Sequence, residues 1–372
     1  MSETTLQPPG ADSIGARALI DRARDAESRT ERALLAAIDD LFLPDDARLD
    51  DRTRAALGSL IEALVGAVEI EIRDYAVRVV RARDGAGIAQ ALERGGGPSL
   101  VDRLARAGLI RDPNFIGECL ARVRLELASE ALQPQAPGRP ETPSLIVRLA
   151  RSSDRVVAQA AAAVLAAESM RQADREGGPP KGTGLPIELH QRLVWWVTAA
   201  VRERAAHNES DHAALDRALA EAAMRNLAAH DETHRLESAV MRLASAIAPD
   251  ADELTPLILE AVRDRRLALL TALLADALGA PYELLRELVL DPGGERLWLV
   301  LRALELPRDA VAEIGYRLSE ADARRDVEVF ADALGAIASV EPEAARIAVA
   351  PLRLHPDYRA ALRALGAAED RR

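Results

Sequence analysis

Apolar side chains return at helical spacing along nearly the whole chain, and that period restricts the fold more than any other feature. Between residues 53 and 83, Leu57, Leu60, Ile61, Leu64, Val65, Val68, Ile72, Tyr75, Ala76 and Val79 follow i, i+3, i+4 spacing, which lines one face of an α-helix. The stretch "VEIEIR" (68–73) also alternates as a strand would, but the helical stripe continues on both sides, so a helix is expected through it. Composition points the same way. Ala, Leu, Arg and Glu dominate and aromatic residues make up only 3%, so the common residues are the best helix formers and strand formers are too few for large sheets.

Start and stop signals cut this pattern into about seventeen helices, most about 10–20 residues long. Asp112-Pro113 opens one that carries Phe115, Ile116, Cys119, Leu120, Val123 and Leu127. Ser210 is expected to cap another, with Leu215, Leu219, Ala223 and Leu227 on its apolar face. Pro281, Asp291-Pro292 and Pro307 stand at or just before later starts. In "DPGGE" (291–295), Asp291 is expected to cap, Pro292 to begin the helix and Glu295 to complete a capping-box-like arrangement.

One segment repeats. "PSLVDRLAR" (98–106) and "PSLIVRLAR" (143–151) match at seven of nine positions and start 45 residues apart. A period of that length, built from paired helices, is the mark of HEAT or armadillo-like arrays. The repeat places Leu100 and Leu104 in positions equivalent to Leu145 and Leu149, all facing the core. The expected fold class is therefore all-α, a HEAT/armadillo-like α-α superhelix of antiparallel helix pairs. "GGPPKGTGLP" (177–186) is a segment no helix can cross. It divides the chain into a tail at 1–12, an N-terminal helical-repeat domain at 13–173, a Gly/Pro linker at 174–186 and a C-terminal helical domain at 187–370. "QPQAPGRPETP" (133–143) reads as a long inter-helix loop.

Charge and cysteine content exclude several function classes. A net charge of −12 argues against gripping nucleic acid, and "RDRR" (263–266) and "ADARRD" (321–326) are short and mixed with acids. Arg so outnumbers Lys, with Lys181 the sole Lys, that codon bias explains the basic residues. One cysteine, Cys119, allows neither an internal disulfide nor a multi-cysteine metal site. The first residues lack the basic region and apolar run of a secretory signal, and the best apolar run, "LALLTALLADAL" (267–278), is about half the length of a membrane span. A cytoplasmic protein is expected, without a membrane span.

Five of the six histidines, His190, His207, His212, His230 and His234, lie between 190 and 234, and "HDETH" (230–234) invites comparison with zinc protease helices. Those helices carry Glu directly after the first His. Here Asp231 holds that place and Glu232 follows it, turned about 200° from His230 on a helix. Asp231 is also a good N-cap, which puts His230 outside the following helix and leaves a solvated junction rather than a metal site. Cys119 sits on the apolar stripe of its helix and reads as a buried structural thiol. "RGGGPS" and "PKGTG" lack the ending of a phosphate-binding loop and read as turns. No catalytic, cofactor-binding or metal-binding residues emerge.

"LHQRLVWWVTAAVRE" (189–203) carries the most distinctive surface signal. On a helix from 187 to about 205, Leu189, Leu193, Val194, Trp196, Val197, Ala200 and Val201 share one face, and His190 falls inside their arc. Trp195 falls opposite, with Glu188, Gln191 and Arg202. Such a Trp either packs in a second buried layer or anchors a partner.

"LPIELHQRLVWWVTAAVRE" (185–203) and "LLTALLADALGAPYELLRELVLDPGGERLWLVLRALELPRDAV" (269–311) resemble an uncharacterised bacterial family, domain of unknown function 2336. "VEIEIRDYAVRVV" and "PSLIVRLARSSDRVVAQAA" look like its N-terminal helices, so the resemblance extends from about residue 50 onward. It implies an all-helical, HEAT-like fold and supplies no activity and no site residues. The expectation for function is a non-enzymatic interaction, scaffold or regulatory protein with an unknown protein partner, its possible partner anchor being Trp195. The rivals are a nucleic-acid-binding helical array and a metal-dependent hydrolase using the His-rich region at 190–234.

Overall fold

A computed structural model describes residues 48–83, 85–93, 99–132, 143–175, 182–205 and 212–369. The expected tail at 1–12, the loop at 133–142, His207 and Ser210 lie outside them. All regular structure among the described residues is helical, with seventeen α-helices. They are α1 (Asp51–Arg81), α2 (Ala86–Glu93), α3 (Leu100–Arg106), α4 (Pro113–Ala131), α5 (Leu145–Ala150), α6 (Arg155–Arg175), α7 (Ile187–Ala205), α8 (His212–Ala229) and α9 (Leu236–Ile247). The rest are α10 (Ala251–Arg263), α11 (Leu267–Leu278), α12 (Tyr282–Leu290), α13 (Glu295–Ala303), α14 (Arg308–Ala321), α15 (Val327–Ser339), α16 (Pro342–Val349) and α17 (Pro356–Glu369).

Aspartate side chains satisfy several of the amides that a helix start leaves without partners. Asp112 accepts from the Phe115 amide at 2.9 Å while Pro113 occupies the first turn of α4. Asp250 does the same for Glu253 at the head of α10, and Asp326 accepts from Glu328 and Val329 at the head of α15. The "VEIEIR" stretch is helical throughout, inside the 31 residues of α1. The "DPGGE" motif differs from expectation. Asp291 ends α12, and α13 begins only at Glu295 after Gly294 has taken a left-handed φ of 72°. A Cβ on Gly294 would lie 2.7 Å from the Trp298 ring and one on Gly293 would lie 2.5 Å from the Glu295 carboxylate, so the two glycines make a tight turn, and with the helix starting at Glu295 the expected cap at Asp291 is not its N-cap.

The described residues from Arg52 onward form one compact unit. Its centre is α11, where Leu267, Leu269, Leu270, Ala272, Leu273, Leu274, Ala275 and Leu278 are all buried. A helix apolar on every side must be covered on every side. Here α9, α10, α12 and α4 supply the cover. The Gly/Pro segment does not interrupt this core. One continuous apolar cluster contains Leu125, Ile146 and Val164 from before it and Leu243, Leu273 and Leu301 from after it, and α6 packs along α9.

The repeated segments form α3 and α5, each a short helix followed by a long one, α4 and α6. Leu100, Leu104 and Leu145 are buried, and Leu149 is half-buried against the core. Their packing diverges, because α5 lies along its successor α6 whereas α3 lies against α7.

A candidate site in an arginine-lined cavity

The histidine-rich stretch is a junction, and the chain reaches it as the residue types suggest. α8 ends at Ala229, the Asp231 carboxylate accepts from the Thr233 amide at 2.8 Å, and Glu232–His234 form a short 3-10 turn leading into α9. His230 and His234 therefore share no helical face. Glu232 accepts from the Ile187 amide at 2.9 Å, which ties it to the start of α7. His212 opens α8, apart from this turn. Among the described residues no group of three or more His, Cys, Asp or Glu could hold a metal ion.

His230 nevertheless departs from the expected solvated junction. It is half-buried and lies flat on His190, with ring centroids 3.9 Å apart and planes 12° from parallel. Its Nε2 is 3.0 Å from the Leu185 carbonyl oxygen. The cause is the Gly/Pro segment, whose end is packed down. Thr183 and Leu185 are buried, the Thr183 hydroxyl meets His190 Nδ1 at 2.9 Å, and the backbone there crosses over the junction. His190 is a packed core residue, as its place in the apolar arc of α7 predicts.

Burial holds the His190 imidazole neutral, and His230 beside it adds to the effect, taking its pKa from an ordinary 6.5 to about 4. Burial lowers that of His230 as well. A depressed histidine contributes its full share of stability above the unfolded value and loses it as pH falls. Acid titration is therefore expected to weaken the fold progressively between about pH 6.5 and 4, by up to about 3 kcal/mol from His190. Urea melts at a series of pH values check this, and His190→Gln is expected to flatten the dependence in that window.

Behind the junction lies an ionic network that the sequence did not announce. Glu237, in the first turn of α9, is buried and accepts from Arg171 of α6 through both oxygens, at 2.7 and 2.8 Å. Arg286 of α12 reaches Glu118 of α4 at 2.5 Å. Arg122, also on α4, donates to Glu126 at 3.3 Å and to the Thr183 carbonyl at 3.3 Å. Arg235 donates to the Gly184 carbonyl at 3.1 Å. Burial pushes the Glu237 carboxyl up, but Arg171 and Arg235 outweigh it and hold the pKa at about 2. Arg122, Arg171 and Arg235 also line a cavity of about 130 Å3, closed by Thr183 and its flanking glycines and by the 229–236 turn.

These charges carried a faint signal. Arg122, Glu237 and Arg286 each stand within the apolar arc of their helix, among Cys119 and Val123, Leu236 and Val240, and Tyr282 and Val289 respectively. A charge at such a position is either misplaced or paired across the core.

The other candidates stand apart from the cavity. Cys119 is fully buried, and burial pushes its thiol up to about 12, which leaves a packed thiol and no nucleophile. Trp196 packs edge-on against Phe115 at 5.9 Å. Trp195 lies 38% exposed, on the side of α7 away from Leu193, Val194 and Val197. Replacing Trp195 by Ala is expected to cost less than the roughly 3–5 kcal/mol of a fully buried aromatic, because more than a third of the residue is exposed, and a thermal melt checks it. A second concavity, about 500 Å3 and largely apolar, lies between α13 and α15 over Trp298, Leu299, Phe330, Ala333, Ile337 and Val340.

Residues 181–350 match the family model of domain of unknown function 2336 (DUF2336). Its members are described as an uncharacterised protein conserved in bacteria. No curated protein and no solved structure matches the chain. The DUF2336 segment runs from the Gly/Pro segment to the end of α16 and includes both motifs that carried the resemblance. "VEIEIRDYAVRVV" and "PSLIVRLARSSDRVVAQAA" fall before it. It supplies Thr183, His190, His230, Arg235, Glu237 and Arg286 to the site, while Glu118, Arg122, Glu126 and Arg171 come from helices before it. No described helix is long and apolar enough to cross a membrane.

Proposed function

We propose that the protein is a non-enzymatic interaction protein whose helices, stacked in the manner of a HEAT-like array, present an apolar groove to an amphipathic helix of a protein partner in the cytoplasm. The observation that carries this reading is α15. Its sequence, VEVFADALGAIAS, is strongly apolar, yet Phe330 is its one buried side chain, and Val327 and Val329 are exposed. Monomeric surfaces seldom leave a contiguous apolar strip open, and such a strip beside a concavity is the usual seat of an amphipathic helix. Trp298 and Phe330 form the floor, with ring centroids 4.8 Å apart, and Trp298 is the kind of residue that dominates binding energy at an interface. Arg302 and Arg325 at the edges are held by the Val340 and Val289 carbonyls, so they frame the groove without closing it. Trp195 offers a second contact point on a different helix.

Site-directed photo-crosslinking tests the proposal. A crosslinker at Ala336 should give a discrete adduct with one cellular protein, lost when Val329 is replaced by Asp, while circular dichroism and melting of that exposed-site variant stay unchanged. An equal adduct from exposed Val156, on α6, would sink the reading. An adduct of twice the chain mass would make the partner a second copy of this chain instead.

A further inference from the structure

We propose that the cavity walled by Arg122, Arg171 and Arg235 is a binding site for a tetrahedral oxyanion, a phosphate group free or carried on a small molecule. Three arginines line it from three elements: Arg122 from α4, Arg171 from α6, and Arg235 from the residue before α9. All three are buried. Their acidic partners stand behind them rather than in the wall, since Glu118, Glu126 and Glu237 do not line the cavity.

The network also leaves a donor over. Arg235 Nη2 is buried without a hydrogen-bond acceptor, its nearest carboxylate oxygen, on Glu118, standing 3.6 Å away. A buried guanidinium donor without an acceptor is costly, and Arg235, which lines the cavity, carries one. Burial and the neighbouring Arg171 lower the pKa of Arg122 against the pull of Glu126 and Glu237.

The one acid in the wall, Asp231, is already committed. Its Oδ1 accepts from Thr233, and its Oδ2 faces His234 at 3.7 Å. Glu232, 3.7 Å from Arg235, is tied to the Ile187 amide and does not line the cavity. The rest of the wall is the Gly182-Thr183-Gly184 backbone, where both glycines have positive φ (91° and 61°), with His230, His234 and the apolar Ala167, Met170, Ala229 and Leu236. About 130 Å3 accommodates a phosphate group and falls well below the roughly 300 Å3 at which whole drug-sized ligands begin to fit.

Calorimetric titration of the full chain with sodium phosphate, sulfate and succinate at constant ionic strength tests the assignment. Phosphate and sulfate are expected to bind at one site, with a saturable rise in Tm that equal ionic strength of chloride does not reproduce. Arg235→Gln should weaken phosphate binding by about tenfold or more. Should Arg235→Gln fail to fold, Ala229→Asp serves instead. Ala229 lines the cavity at an exposed position, so this change sets a carboxylate against the anion, and a loss of similar size is expected. Absence of binding to the parent protein, binding of succinate alone, or unchanged affinity in Ala229→Asp would overturn the proposal.

Discussion

Replacing Glu237 by Gln is expected to lower stability by about 3–5 kcal/mol, measured by urea denaturation at neutral pH. The carboxylate is buried, and it takes two short hydrogen bonds from Arg171 while lying within 3.9 Å of both Arg235 and Arg286. Removing its charge leaves guanidiniums in the core without the partner that justifies their burial. Two outcomes distinguish this account from simple loss of packing. Replacing Arg171 by Met and Glu237 by Leu together should recover much of the loss, because an apolar pair of similar volume needs no compensation. The pH response has a defined sign as well. A carboxylate with depressed pKa contributes stability that is complete above the ordinary value of 4.5 and disappears as pH falls towards about 2. The acid limb of the wild-type profile should therefore have two stages, His190 between about 6.5 and 4 and Glu237 below that.

Phe115→Ala is expected to cost a further 3–5 kcal/mol or thereabouts, read from the same denaturation curves (roughly the range for a buried aromatic). The ring is fully buried near the start of α4 and meets Trp196 of α7 at an interplanar angle of 81°. Truncation opens a cavity between an element that precedes the Gly/Pro segment and one that follows it. Phe115→Leu keeps most of the volume and should retain most of the stability. A Phe115→Ala protein as stable as the parent would mean that α4 and α7 are not packed as described.

These two sites show what a reader of the chain can and cannot see. Phe115 was legible because its signals are local: Asp112-Pro113 announces a helix start, and the spacing to Cys119 and Val123 sets the buried face. "HDETH" was legible as a junction for the same reason, since Asp231 has the chemistry of a cap. The Glu237 network was not. Arg171 and Glu237 are 66 residues apart, and Arg286 and Glu118 are 168 apart, so no spacing rule joins them. On isolated helices each looks like one more charge in an Arg- and Glu-rich chain. His230 was misjudged likewise, because its stacking partner His190 and the carbonyl of Leu185 arrive from 40 and 45 residues away. The "DPGGE" turn was misread for a different reason. Cap chemistry at Asp291 competes with two glycines, and Gly294, in its left-handed conformation against the Trp298 ring, is the residue before the helix.

The sharing of one ionic cluster between helices on both sides of the Gly/Pro segment has a consequence for how this kind of chain is divided. A fragment cut at residue 181, where the match to the family model begins, would retain Arg235, Glu237 and Arg286 yet leave Arg171, Glu118 and Glu126 behind. It would carry a half-wired interior and a stripped flank along α9 and α11, where α6 and α4 now lie. The stretch that matches the family model is thus shorter than the interior it helps to build, and the helices upstream supply the other part of that interior.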